Sequence, residues 1–168
     1  GYKIVIDTLS EVVQKYGVPI TFIDIHHSDG MWNMPDEFTY RENHPYKYGY
    51  GKLMHSGYHF IDLLTSLQII NMSIHSKIPD TINLFTQSVR PADQHTTMAS
   101  EQYATFFGSD TAKKLAISKK KKTVRDYGEV DSFSQIQFTK NGKVITSAQL
   151  SLMQSGFSKR AWAQLPKD

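Results

Sequence analysis

The apolar residues Val5, Leu9, Val12, Val13 and Tyr16 recur at helical spacing, which predicts an amphipathic helix with that stripe toward a core. Gly17 suits a left-handed helix end, and Pro19 blocks continuation. Val18 to Ile25 is short and rich in Val, Ile and Phe, and reads as a strand buried on both faces. Between Ser28 and Gly51 the periodicity stops. This stretch holds Gly30, Pro35, Pro45, Gly49 and Gly51 together with Trp32, Phe38, Tyr40, Tyr46, Tyr48 and Tyr50. So many rings argue against disorder. Two readings stay open: a loop pinned by its own rings, or a pocket wall or subunit contact.

Helical spacing returns from Lys52 to about Asn71. Leu53, Gly57, Phe60, Ile61, Leu64 and Leu67 form a stripe expected to face the core, and His55, His59, Asp62 and Ser66 form a second stripe. Pro79 and Asp80 punctuate the chain, and Thr81 to Val89 reads as a strand. Residues 90–126 are poorly patterned, apart from a short helix expected over Tyr103 to Phe107 and ending at Gly108. Val130 to Thr139 and Lys143 to Ser155 form a hairpin around the turn signal Asn141-Gly142. With too few strand–helix–strand units for a doubly wound sheet, the expected fold is α+β. It has an open, mainly antiparallel β-sheet with helices on one face. One domain spans 1–168, with 1–17 a leading helix and 18–168 the sheet domain.

Composition removes several function classes. The 168 residues are 39% hydrophobic and 21% charged, an ordinary globular balance, and there is no cysteine, so neither disulfides nor thiolate metal sites enter. The net charge is +3, and Lys119 to Lys122 is a basic run without interleaved aromatics. That is a solvated loop rather than a base-stacking surface, and no nucleic-acid partner is expected. No signal peptide and no membrane-spanning stretch is legible, so the expectation is a cytoplasmic protein without a membrane partner. The chain begins at Gly1 without an initiator Met, which reads as a fragment.

Three readings compete for the His55, His59 and Asp62 face. Two histidines at i, i+4 chelate zinc, with Asp62 as a third ligand; but a zincin helix places Glu directly after its first His, and Ser56 stands there, so no metal is expected. Partly buried, hydrogen-bonded imidazoles are the structural alternative. In the third, His59 exchanges a proton with substrate. Gly49-Tyr50-Gly51-Lys52 is no P-loop, because Leu53 replaces the magnesium-binding hydroxyl. Neither G-x-G-x-x-G nor G-x-S-x-G occurs, so this chain carries no cofactor-binding motif of its own.

The segment Gly51-Lys52-Leu53-Met54-His55-Ser56-Gly57-Tyr58-His59-Phe60-Ile61-Asp62-Leu63-Leu64 resembles the pattern G-x-L-x-D-x-G-x-H-x-I-D-L-L of the Gfo/Idh/MocA oxidoreductases. Tyr16-Gly17-Val18-Pro19-Ile20 looks like the entry to that family's C-terminal domain, and Glu129-Val130-Asp131 with Asn141-Gly142-Lys143-Val144 looks like its late hairpin. The resemblance implies the substrate-binding half of a two-domain enzyme, stopping before the family's last strands. The missing N-terminal Rossmann domain would bind NAD or NADP. It implies an NAD(P)-dependent sugar, cyclitol or polyol dehydrogenase, inert as this piece alone, that forms a dimer or larger homo-oligomer through the open sheet face. His59 falls on the family's catalytic His, and His55 stands where the family has Asp. A neutral imidazole offers one donor and one acceptor in place of a carboxylate, so His55 is expected to contact a different substrate group. Trp32, Arg41, Asn43, Tyr50 and Lys52 are the further substrate contacts implied, since rings and forked donors suit polyhydroxylated ligands. The alternative is a non-catalytic ligand-binding or oligomerisation module of the same fold.

Overall fold

A computed structural model of the chain describes residues 2–28, 48–97, 99–110, 112–113 and 128–154. Its helices are α1 (Lys3–Tyr16), α2 (Tyr58–Met72), α3 (Pro91–Thr96) and α4 (Ser100–Phe107). Its strands are β1 (Phe22–Ser28), β2 (Thr81–Val89), β3 (Asp131–Lys140) and β4 (Lys143–Met153). A π-helical turn over Leu53–Gly57 leads into α2, and a 3-10 turn over His75–Lys77 follows it.

The strands form one four-stranded open sheet in the order β1-β4-β3-β2. β3 and β4 meet at Asn141 (φ 50°) and Gly142 (φ 72°), the pair of left-handed residues that a two-residue hairpin needs to match strand twist. β2 runs antiparallel to β3: Asp80 N–H donates to the Thr139 carbonyl at one end, and Val130 N–H to the Val89 carbonyl at the other. β1 lies beside β4 and makes the sheet mixed rather than all antiparallel. The α+β class therefore stands.

Three local expectations shift. α1 ends at Gly17 as expected (φ 64°), but its inward face is Ile6, Leu9, Ser10 and Val13. Val5, Val12 and Tyr16 are left 50%, 45% and 62% exposed. The side that meets α2 decides this, one helical step from the stripe the sequence marks. β1 begins at Phe22 rather than Val18 and alternates, with Ile23 and Ile25 buried and Phe22 and Asp24 exposed. It starts late because the backbone of Ile20 is taken up by a side chain of α2. The expected single helix from Lys52 instead opens with the π turn, and Ile61, assigned to the core, is exposed.

The chain contacts fall into two compact units. The first comprises Gly1–His26, Ser56–Gln87 and Phe133–Ser151. Its core is Val13, Ile23, Ile25, Leu64, Ile70, Ile136, Phe138, Ala148 and Leu150. The second comprises His27–His55, Ser88–Ser132 and Leu152–Asp168, and buries Tyr103, Val130 and Leu152 beside Lys52, Gln94, Asp131, Ser132 and Gln154. Within it α4 ends at Gly108 as expected, while α3, entered through Pro91 and an Asp93 carboxylate that accepts the Arg90 N–H, carries no apolar period and was not legible. No helix among the described residues is long and apolar enough to cross a membrane.

Candidate functional site

α2 is held at its C-terminal end by one amide. Asn71 is fully buried; its Oδ1 accepts the Ile20 N–H at 2.7 Å, and its Nδ2 donates to the Ile20 carbonyl at 2.9 Å. The side chain thus mimics a neighbouring strand. Nδ2 also donates to Thr146 Oγ1 at 3.0 Å, and that hydroxyl donates to the Ile20 carbonyl at 2.8 Å, closing the network. Burial in a low-dielectric surrounding makes each of these bonds count.

The chain enters the π turn through a contact within the second unit. Lys52 N–H donates to the Glu129 carbonyl at 2.7 Å, and Leu53 N–H to Glu129 Oε1 at 2.8 Å. A carboxylate at a helical N-terminus satisfies an otherwise unpaired donor and meets the positive end of the helix dipole. Gly51 and Gly128 permit this: a Cβ on Gly51 would collide with the Glu129 backbone, and one on Gly128 with the Gly51 backbone. The family-like pattern begins at Gly51 for a steric reason.

His59 lies in the first turn of α2 and is exposed, its ring stacked at a tilt on Tyr58 with centroids 3.9 Å apart and planes at 37°. Asp62 is exposed one turn on. Neither His59 nor Asp62 makes a hydrogen bond or ion pair among the described residues. His55 belongs to the π turn and is half-buried, with Nδ1 fully covered. His55 thus stands in the π turn, and His59 in the α-helix that follows it. Ser66, from the same sequence stripe, faces α1 instead, in a groove of about 430 Å³ shared with Ile6, Ser10 and Gln14.

Of the substrate contacts expected from the sequence, Tyr50 is 53% exposed and Lys52 fully buried. Trp32, Arg41 and Asn43 lie outside the described residues. Among the described residues no group of three or more His, Asp or Glu could hold a metal ion. A shallow depression of about 440 Å³ sits on the open sheet face of the first unit, lined by Phe22, Phe85, Gln135, Gln137, Ser147 and Gln149 among others. None of the site residues expected from the sequence lines it.

Asn71, Glu129 and the depression were not singled out from the sequence. Asn71 bonds a residue 51 positions away and Glu129 one 76 away, separations at which no local pattern operates. The alternation of Gln135, Gln137, Ser147 and Gln149 with buried apolar residues was the one available signal. No protein-family model, curated protein or solved structure matches the chain.

Proposed function

We propose that this chain is the substrate-binding part of an NAD(P)-dependent oxidoreductase acting on a sugar, cyclitol or related hydroxy compound. The observation that carries the reading is the placement of His59. The residue in register with the catalytic position of the Gfo/Idh/MocA-like pattern stands on a well-anchored helix with its imidazole exposed. It is therefore open to a nicotinamide ring presented by another domain, which is the extent of the fit, since the described residues offer no pyrophosphate cradle. NAD or NADP, when bound, takes up or supplies the hydride. His59 takes or returns the hydroxyl proton at an imidazole nitrogen, so that no free alkoxide has to form. Asp62 presents a carboxylate that accepts from a second substrate hydroxyl.

One observation favours a second reading, a non-catalytic ligand-binding or assembly module. Among the described residues His59 and Asp62 make no hydrogen bond or ion pair that orients them, whereas catalytic groups are commonly held in place by others. Kinetics of the protein joined to its dinucleotide-binding domain separates the two. His59→Ala lowers turnover at least ~100-fold in an oxidoreductase while thermal unfolding stays unchanged. Unchanged turnover, or an absence of NAD(P)H binding in that protein, establishes the module instead.

A further inference from the structure

The two edges of the sheet are protected very differently. β1 carries an exposed carboxylate, Asp24, and an exposed imidazole, His26, near its centre. Charge on an edge strand discourages pairing with another chain. β2, at the opposite edge, contains no charged residue and no proline from Thr81 to Val89. Every residue from 81 to 88 is exposed, including Ile82 (61%), Leu84 (63%) and Phe85 (61%). The charges lie just outside the strand: Asp80, exposed, before it and Arg90, exposed, after it.

We propose that β2 pairs antiparallel with β2 of a second copy of this chain about a two-fold axis at Phe85. The strand is self-complementary in that register. Phe85 meets Phe85 on the axis, Asn83 meets Gln87, and Thr81 meets Val89, giving aromatic, carboxamide and β-branched cross-strand pairs. At each end Asp80 of one copy stands opposite Arg90 of the other, so two opposite-charge pairs bracket the ladder. No other antiparallel register sets these charges against each other. An isologous contact of this kind closes on itself and stops at two copies. Among the described residues the sheet has four strands with β2 at one end, so the pairing joins two such sheets into one of eight strands and gives partners to the outward backbone groups of β2. The inference is independent of the oxidoreductase reading and concerns the backbone edge of β2, although Phe85 also lines the depression on the open face.

The chain has no cysteine, so a single introduced thiol reports position without ambiguity. In the proposed register two Phe85→Cys side chains have Cβ atoms roughly 4.5–5.5 Å apart, close enough for oxidation or a short bismaleimide to join them. Two Ile82→Cys side chains are six residues out of register, roughly 20 Å apart, and cannot be joined without moving the backbone. The expected result is a covalent dimer that forms at least about tenfold faster with Phe85→Cys than with Ile82→Cys or with Gln149→Cys, which lies on the open face away from the edge. Sedimentation of the unmodified chain shows an even number of copies, and Leu84→Lys halves that number. A monomer at about 100 μM overturns the proposal, since even weak specific contacts in the micromolar range are then excluded. So does cross-linking of Phe85→Cys no faster than Ile82→Cys. Fast cross-linking of Gln149→Cys with slow cross-linking of Phe85→Cys places self-association on the open face and also overturns the edge pairing.

Discussion

Asn71 and Gln68 carry the same amide on the same helix, three residues apart, and both are buried, yet their circumstances are opposite. Asn71 places each of its amide atoms in a hydrogen bond and makes the seam between α2, Ile20 and Thr146. Gln68 is 6% exposed, and neither Nε2 nor Oε1 has a partner among the described residues. An unsatisfied buried amide costs roughly 1–3 kcal/mol, whereas a satisfied one holds its surroundings in a single arrangement. Burial of a polar side chain is therefore not by itself a sign of structural importance; the partners decide.

The largest effect is expected from breaking the satisfied amide. Asn71→Leu leaves the Ile20 N–H unpaired and the Ile20 carbonyl with the Thr146 hydroxyl alone, and should lower unfolding free energy by about 2–4 kcal/mol in urea titration. A loss under about 1 kcal/mol would mean that water replaces the side chain without penalty. Next comes the other end of the π turn and α2. Gly128→Ala forces a methyl onto the Gly51 backbone and should cost about 1–3 kcal/mol, with Gly128→Val worse. The opposite sign is expected at the unsatisfied amide, which sharpens the contrast. Gln68→Met keeps the volume and removes the unpaired groups, and should raise the urea midpoint by the equivalent of about 1 kcal/mol. A loss of stability there would show that Gln68 has a partner in solution.

Little of this contrast was readable from the sequence. Asn71 closed a helix and Gln68 sat between two apolar residues; neither position distinguishes a paired amide from an unpaired one. The elements themselves were largely legible, because their signals are local. Thr81–Val89 has the bounds expected for it, and the hairpin turns at Asn141-Gly142. The start of β1 and the inner face of α1 were misplaced, because Asn71 and the approach of α2 decide them from far away in sequence. The segment from Lys52 was expected as one helix from its local period, and its head is a π turn instead.

Two smaller effects complete the series. His59→Ala should leave stability within about 0.5 kcal/mol, since the exposed ring contributes little packing beyond its stack on Tyr58. Scanning calorimetry of the isolated chain checks this without any assay of activity. The least effect concerns pH. The Asn141 N–H donates to the Asp80 carboxylate at 2.8 Å and holds its pKa below the ordinary 3.8, with burial opposing slightly. A carboxyl with a depressed folded-state pKa contributes stability above its unfolded value and loses it as pH falls through the folded one. Asp80→Asn should therefore lower stability slightly at neutral pH and flatten the acid side of the stability curve below 3.8. An unchanged neutral-pH midpoint would show that a neutral amide oxygen serves the Asn141 N–H as well as the carboxylate does.

Period, turn chemistry and composition are properties of neighbouring residues, and from them came the α+β class, the hairpin, the strand Thr81–Val89 and the candidate His59. Folding added the pairings that span the chain: Asn71 with Ile20, Glu129 with the head of the π turn, and the exposure of both faces of β2. Such pairings arise from which surfaces meet after the elements form. A hydrogen-bonding group has the same appearance in sequence whether its partner is a distant backbone or nothing at all.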